Sequence, residues 1–282
     1  MRPAIGPAIP LQCSDGFLQS CGCLARDWDI GLHTHLAESQ TQAAASQRRF
    51  GRSLTTQLSE LGWLGPRFCG AHGVWLDADD RRLLADAGAA IAHNPCSNLR
   101  LGSGIADLRA MLAAGIAVGI GTDASNTSYG QNMFEATRLA AYLSRIKHAD
   151  TGAWVSALEA LRLATVGSAA ALGFYDIGRI APSYRADIVF LSGASQTYAP
   201  LRNPIRQIVF AETGAAVTDV MIDGRMILER GRLTRIDEAR LRRQAQTAAA
   251  RLDTATLPAR RLAEDVSGHV EEFSRGLRQN RA

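Results

Sequence analysis

The feature that most constrains this chain is a repeated alternation. Over residues 1–173, short apolar runs alternate with helix-length amphipathic segments, and four of the runs stop at a histidine or an aspartate. The runs lie near 4–9, 31–35, 68–72, 89–93 and 116–123. Apolar runs this short read as strands buried on both faces. Strands joined through helices form a parallel sheet. The helix signals agree. Ser14 stands at an N-cap position ahead of a helix expected to bury Phe17, Leu18, Cys21, Leu24, Ala25 and Trp28, at helical spacing. Ser39 and Gln42 have capping-box spacing. Asp77 precedes a helix that buries Leu83, Leu84 and Ala87, and Gly115 follows 105–114 as a stop. A long helix is predicted over 131–146 and further helix over 155–172.

Near residue 178 the texture changes. Short β-rich runs are predicted at 179–180, 186–191, 205–211, 217–222 and 225–229, with Asp223-Gly224 as a hairpin turn. From about 236 the chain is rich in Ala and Arg and reads as helix. The expected division is an α/β part over 1–173, a small β-domain over 174–235 and a helical tail over 236–282.

Composition removes some classes of function. The net charge is +4, but the charges are dispersed and no basic stripe is interleaved with aromatics, so nucleic acid is not an expected partner. No apolar run reaches 18 residues, so no membrane partner is expected. The N-terminus opens directly on a strand pattern with no signal peptide. Cysteines 13, 21, 23, 69 and 96 make no even framework, and they read as reduced thiols in a cytoplasmic protein.

In a parallel sheet, loops at the carboxyl ends of the strands carry the chemistry. His35 ends a run with its imidazole at the sheet mouth, where it suits either a divalent-metal ligand or a satisfied core histidine. Glu38, three residues on, suits a proton carrier. His33 faces the same side but deeper, as an interior or supporting residue. Asp123 ends another run, and it suits a metal ligand that also accepts a proton, or a plain helix N-cap. His72 suits a group that polarises the reacting centre. Asn94, Ser97 and Asn98, after His93, suit the lining of a substrate pocket or an ordinary turn. Four strand ends carrying His or Asp together outweigh the structural alternative for any one of them.

At this point a resemblance is evident. The segments His33-Thr-His-Leu-Ala-Glu38, Ala71-His-Gly-Val-Trp-Leu76, His93-Asn-Pro-Cys-Ser-Asn98, Gly121-Thr-Asp-Ala124 and Gly130-Gln-Asn-Met-Phe-Glu135 resemble the amidohydrolase superfamily. The likeness is to its cytosine-deaminase-like branch, which includes guanine, 8-oxoguanine and S-adenosylhomocysteine deaminases and triazine amino- and chlorohydrolases. It extends through 177–188 and covers nearly all of the chain to about 235. It implies an α/β fold that is the C-terminal part of a (β/α)8 TIM-type barrel, strands four to eight, with a partial β-sandwich domain.

The resemblance also implies roles. His35 and Asp123 would be metal ligands, and Glu38, His72 and Asp123 the catalytic groups. Glu38 would protonate a ring nitrogen, Asp123 would take the proton as metal-bound hydroxide attacks, and His72 would steer that attack. His72, Asn94, Ser97 and Asn98 would bind substrate. The cofactor implied is one divalent metal, zinc or else iron. A two-metal site bridged by a carboxylated lysine has no counterpart here, because Lys147 is the sole lysine. The expected reaction is hydrolysis of a carbon–nitrogen bond on a small heteroaromatic substrate: a purine, pyrimidine or triazine. A homodimer is an option the resemblance carries.

One departure is also expected. The family's first three strands and their His-x-His pair have no match in this sequence. The alternatives to deamination are therefore an inactive truncated remnant or half of a split enzyme, and cyclic amide hydrolysis of the imidazolonepropionase kind.

Overall fold

The computed structural model describes residues 2–279, which form two compact units. The first comprises residues up to 185 together with 192–216, and the second 186–191 together with 217 onward. Segment 192–216, which the sequence suggested would sit with the small β-domain, folds with the first unit.

The first unit is built on five parallel strands: β1 (Ala4–Ile5), β2 (Gly31–Leu36), β3 (Phe68–His72), β4 (Ala90–His93) and β5 (Ala117–Ile120). They lie side by side in sequence order, β1-β2-β3-β4-β5, all parallel, as in part of a (β/α)8 barrel. In register, His35 stands beside Ala71, Leu36 beside His72 and His93 beside Ile120. The histidines therefore gather at one end of the sheet.

Two strands are shorter than their apolar runs. β1 stops at Ile5 because Pro7 and Pro10 have no N–H to give a ladder, and Pro10–Gln12 turns into a 3-10 helix. β5 stops at Ile120. Gly121 still donates to His93 O at 2.9 Å, and the chain then turns left-handed at Asp123, with φ 61°.

The helices follow their caps. Ser14 accepts from the Phe17 N–H and opens Asp15–Asp27; Ser39 opens Gln40–Phe50; Asp77 and Asp80 form a reciprocal capping box on Ala78–Asp86. On Asp15–Asp27 only Leu18, Cys21, Gly22 and Ala25 are buried, and the Trp63 indole donates to Leu18 O there. Phe17, Leu24 and Trp28 occupy the other face and are 53%, 48% and 70% exposed. Only one helix face is buried, so the expected burial of Phe17, Leu24 and Trp28 is corrected.

The predicted strand at 205–211 is a helix, Pro204–Phe210. Asn203 caps it by accepting from Arg206 N, and Pro204 has the φ that begins a helix; together they outweigh the β propensity of Ile205, Ile208 and Val209. No strand forms at 179–180.

The core joins Leu36, Phe68, Ile91, Val118 and Ile120 on the sheet to Leu18, Leu58, Leu84, Leu108 and Met111 on the helices. Helical chain from Ala157 to Ala171, with a π-helical turn at Leu163–Gly167, lies against β5. The approach needs two glycines. A Cβ on Gly119 would stand 2.7 Å from Ser168 Cα, and one on Gly167 would stand 2.4 Å from Val118 O. Ser168 Oγ then accepts from Ile120 N at 3.0 Å and donates to Ile120 O at 3.1 Å, satisfying the backbone at the sheet edge.

The second unit is an antiparallel sheet of β6 (Ile188–Leu191), β7 (Val217–Ile222), β8 (Arg225–Glu229) and β9 (Arg232–Leu233), in that order, with the turn Asp223-Gly224 joining β7 and β8. Helices Glu238–Ala255 and Leu257–Gln279 follow. No helix among the described residues is long and apolar enough to cross a membrane.

Candidate metal and proton-transfer site

β2 carries His35 to the end of the sheet. Its N–H donates to Ala8 O at 3.1 Å, and its Nδ1 donates to the same carbonyl. A carbonyl only accepts, so Nδ1 holds the proton and Nε2 is left as an open acceptor. After Leu36 the chain turns through Ala37 at φ 47° and presents Glu38. Gln42 then grips that carboxylate: its amide donates to Glu38 Oε2 at 3.0 Å, and its carbonyl accepts from Glu38 N at 3.1 Å. As the sequence spacing predicts, the Gln42 N–H donates to the Ser39 hydroxyl at 3.2 Å, but the Gln42 side chain goes to Glu38 rather than closing the box on Ser39.

His72 ends β3 and is fully buried. Its ring stacks on that of His35, with centroids 5.2 Å apart at 22°. Its Nδ1 donates to Asn98 Oδ1 at 2.8 Å, which leaves Nε2 bare, buried and without a hydrogen-bond partner among the described residues. That atom faces two carboxylates, Glu38 Oε1 at 4.0 Å and Asp123 Oδ2 at 3.9 Å. One ligand atom each from His35, Glu38 and His72 lies within 4.8 Å of the others. Open acceptors thus converge with no donor between them, an arrangement that a cation satisfies. The donor set, imidazole and carboxylate, is one a divalent metal such as zinc takes.

Burial raises the Asp123 carboxyl, but the Ser97 hydroxyl and the Ala124 N–H outweigh it, and the group lies below the ordinary aspartate range. Ala124 N donates to Asp123 Oδ1 at 2.6 Å. The remaining sequence candidates are all buried: Asn94, Ser97 and Asn98 on the turn and helix after β4. Asn98 holds His72, and Asn94 Oδ1 packs where a side chain on Gly121 would be. His33, expected in the interior, is exposed on the same strand face as His35. His93 is buried, and burial first, then the charge of His72, pushes its pKa down to about 4.

The backbone marks the same place. Ala37, His72 and Asp123 all have left-handed φ, at 47°, 76° and 61°. Such conformations cost non-glycine residues on the order of 1–3 kcal/mol each and cluster at functional sites.

A parallel α/β sheet with histidine and aspartate at successive strand ends defines the amidohydrolase class of α/β proteins. Residues 1–227 match the amidohydrolase family, and the chain belongs to it. It is 40% identical over 237 residues to a 5-methylthioadenosine/S-adenosylhomocysteine deaminase of Nitratidesulfovibrio vulgaris, covering 84% of this chain and 54% of that one. It superposes on an adenosine deaminase from Xanthomonas campestris with bound zinc, with a TM-score of 0.86 at 31% identity, over 89% of this chain and 57% of that one. For an atrazine chlorohydrolase from Arthrobacter aurescens complexed with zinc, the TM-score is 0.81 at 32% identity, over 87% and 54%. The chain spans about half the length of the curated relatives it matches.

Proposed function

We propose that this chain serves metal-dependent hydrolytic deamination of an aminated heteroaromatic ring, with an adenine nucleoside as the substrate class its relatives favour. The observation that carries the reading is the bare, buried Nε2 of His72 facing Glu38 and Asp123. His35 and Asp123 would hold a single divalent metal, with zinc the candidate its neighbours suggest. When bound, the metal supplies Lewis-acid polarisation and makes water nucleophilic at neutral pH. The chain is taken to act in the cytoplasm on a small heterocycle.

The residues divide the proton traffic. Asp123, held below the usual carboxylate range, is ionised and takes a proton from the attacking water. Glu38, fixed by Gln42, delivers a proton to the ring nitrogen beside the attacked carbon. The new carbon–oxygen bond makes that carbon tetrahedral. Collapse to the ring carbonyl breaks the exocyclic carbon–nitrogen bond; the proton held by Asp123 leaves with ammonia, and the hydroxyl proton returns to Glu38. His72 steers the attacking oxygen, and Asn98 keeps its proton on Nδ1 so that Nε2 stays open to the site.

The test is ammonia release from 5-methylthioadenosine by the zinc-loaded chain. Glu38→Gln should lower it by roughly 10²–10⁴-fold. Ammonia release that is the same in wild type, Glu38→Gln and Asp123→Asn would refute the assignment.

A further inference from the structure

Away from the strand-end site, the first unit has a groove of about 390 Å³ lined by Arg145, Ser156, Leu158, Asn203, Arg206 and Phe210 among others. Its size suits a small organic ligand. None of its lining residues is acidic. The nearest acid in sequence, Glu159, is already engaged: it pairs with Arg109 at 3.0 Å and accepts from Ser156 N at 2.9 Å.

Arg145 is held in an unusual way. Its guanidinium lies 5.1 Å from the Phe210 ring, 5.3 Å from Trp154 and 5.5 Å from Tyr142. Tyr142 and Phe210 stack on each other at 5.3 Å. Rings attract the cation but take none of its in-plane hydrogen bonds. Arg145 Nε is buried and has no hydrogen-bond partner among the described residues. The rest of the guanidinium likewise makes no hydrogen bond or ion pair among the described residues, so its terminal nitrogens are the donors open to an acceptor in the groove. Arg206, also in the lining, is exposed and enters no ion pair among the described residues. Two cations without a counter-charge line one groove whose walls are otherwise Ala157, Leu158, Ile205 and Phe210.

We infer that this groove binds a phosphoryl group carried on an apolar or aromatic body, with Arg145 and Arg206 sharing the dianion. The three rings fix the Arg145 fork, so little freedom is lost when it meets a planar pair of oxygens. Ser156 and Asn203 are committed as helix caps, so the arginines supply the recognition. The proposal shares no residue with the strand-end site and stands whether or not that site is catalytic.

Calorimetric titration of the full chain with phenyl phosphate tests it, with inorganic phosphate and benzoate as comparison probes. Saturable binding of phenyl phosphate is expected, tighter than that of either comparison probe. Arg145→Gln should weaken it at least about tenfold, and Arg206→Gln severalfold, since a hydrogen bond to a charged group is worth that much. Arg206 is exposed, so Arg206→Gln separates loss of binding from loss of fold, with circular dichroism as the check. No saturable binding, equal binding in both variants, or benzoate binding as tightly as phenyl phosphate would overturn the proposal.

Discussion

The strand ends of the first unit and the helices that close the second differ in almost every physical respect. All five residues of β3 are buried, and His72 at its end bonds Asn98 through Nδ1 and faces Glu38 and Asp123 with Nε2. In Leu257–Gln279, by contrast, Leu262, Val266, Val270 and Phe273 are 63%, 39%, 57% and 62% exposed. Their spacing makes a helical apolar stripe, as in any core helix. The lesson is that the same hydrophobic pattern can build a core or remain on the surface, and only the partners decide. Stability and chemistry should therefore respond to mutation in the first region and barely in the second.

The largest effect should come from Phe68→Ala. Phe68 is buried under Trp63, with ring centroids 6.5 Å apart, and its loss should lower unfolding free energy by about 3–5 kcal/mol in denaturant titrations. A change below about 1 kcal/mol would mean the sheet is not the seat of the core.

A smaller loss is expected at Tyr198→Phe. Glu212 is fully buried; it accepts from Tyr198 Oη at 2.8 Å and from the N–H groups of Thr213, Gly214 and Ala216. Removing the hydroxyl leaves Oε2 short of a donor and should cost about 1–3 kcal/mol. The same carboxyl predicts a pH effect. Burial raises it, but the four donors outweigh that and hold it below the ordinary 4.5. Its stabilisation is complete above that value and is lost as pH falls through the lower folded value. A plot of unfolding midpoint against pH should show this acid limb in wild type and a shallower one in Glu212→Gln; identical limbs would remove Glu212 from the account.

The smallest effect should be at Phe273→Ala, within about 0.5 kcal/mol of wild type. A larger loss would show that the stripe on Leu257–Gln279 is covered in solution and would narrow the contrast between the two regions.

Local signals were legible in the sequence where the physics is local. Apolar runs ending in His35, His72 and His93 gave the strands, and Ser14, Asp77 and Gly115 gave helix ends, because period and capping act within a few residues. Asn203-Pro204 carried a helix start that the β-branched run behind it masked. What could not be read depends on contacts between distant segments. Asn98 reaches His72 across 26 residues, and which face of Asp15–Asp27 is buried depends on Trp63, 45 residues from Leu18. The exposure of His33 depends on what stands opposite β2, which no local pattern encodes. The four site residues were legible as types at strand ends; their convergence required the register of β2 on β3.

The central claim is that His35 and Asp123 hold one metal, with Glu38 and His72 beside it. Zinc titration into the metal-stripped chain, read by calorimetry and by metal analysis after dialysis, tests it most directly. The account predicts a single zinc per chain, weakened by roughly 10–100-fold or more by His35→Ala or Asp123→Asn and less by Asn98→Ala, which acts only through His72 beside the metal. Retention of no zinc by the wild-type chain, or equal zinc in wild type and all three variants, would contradict it.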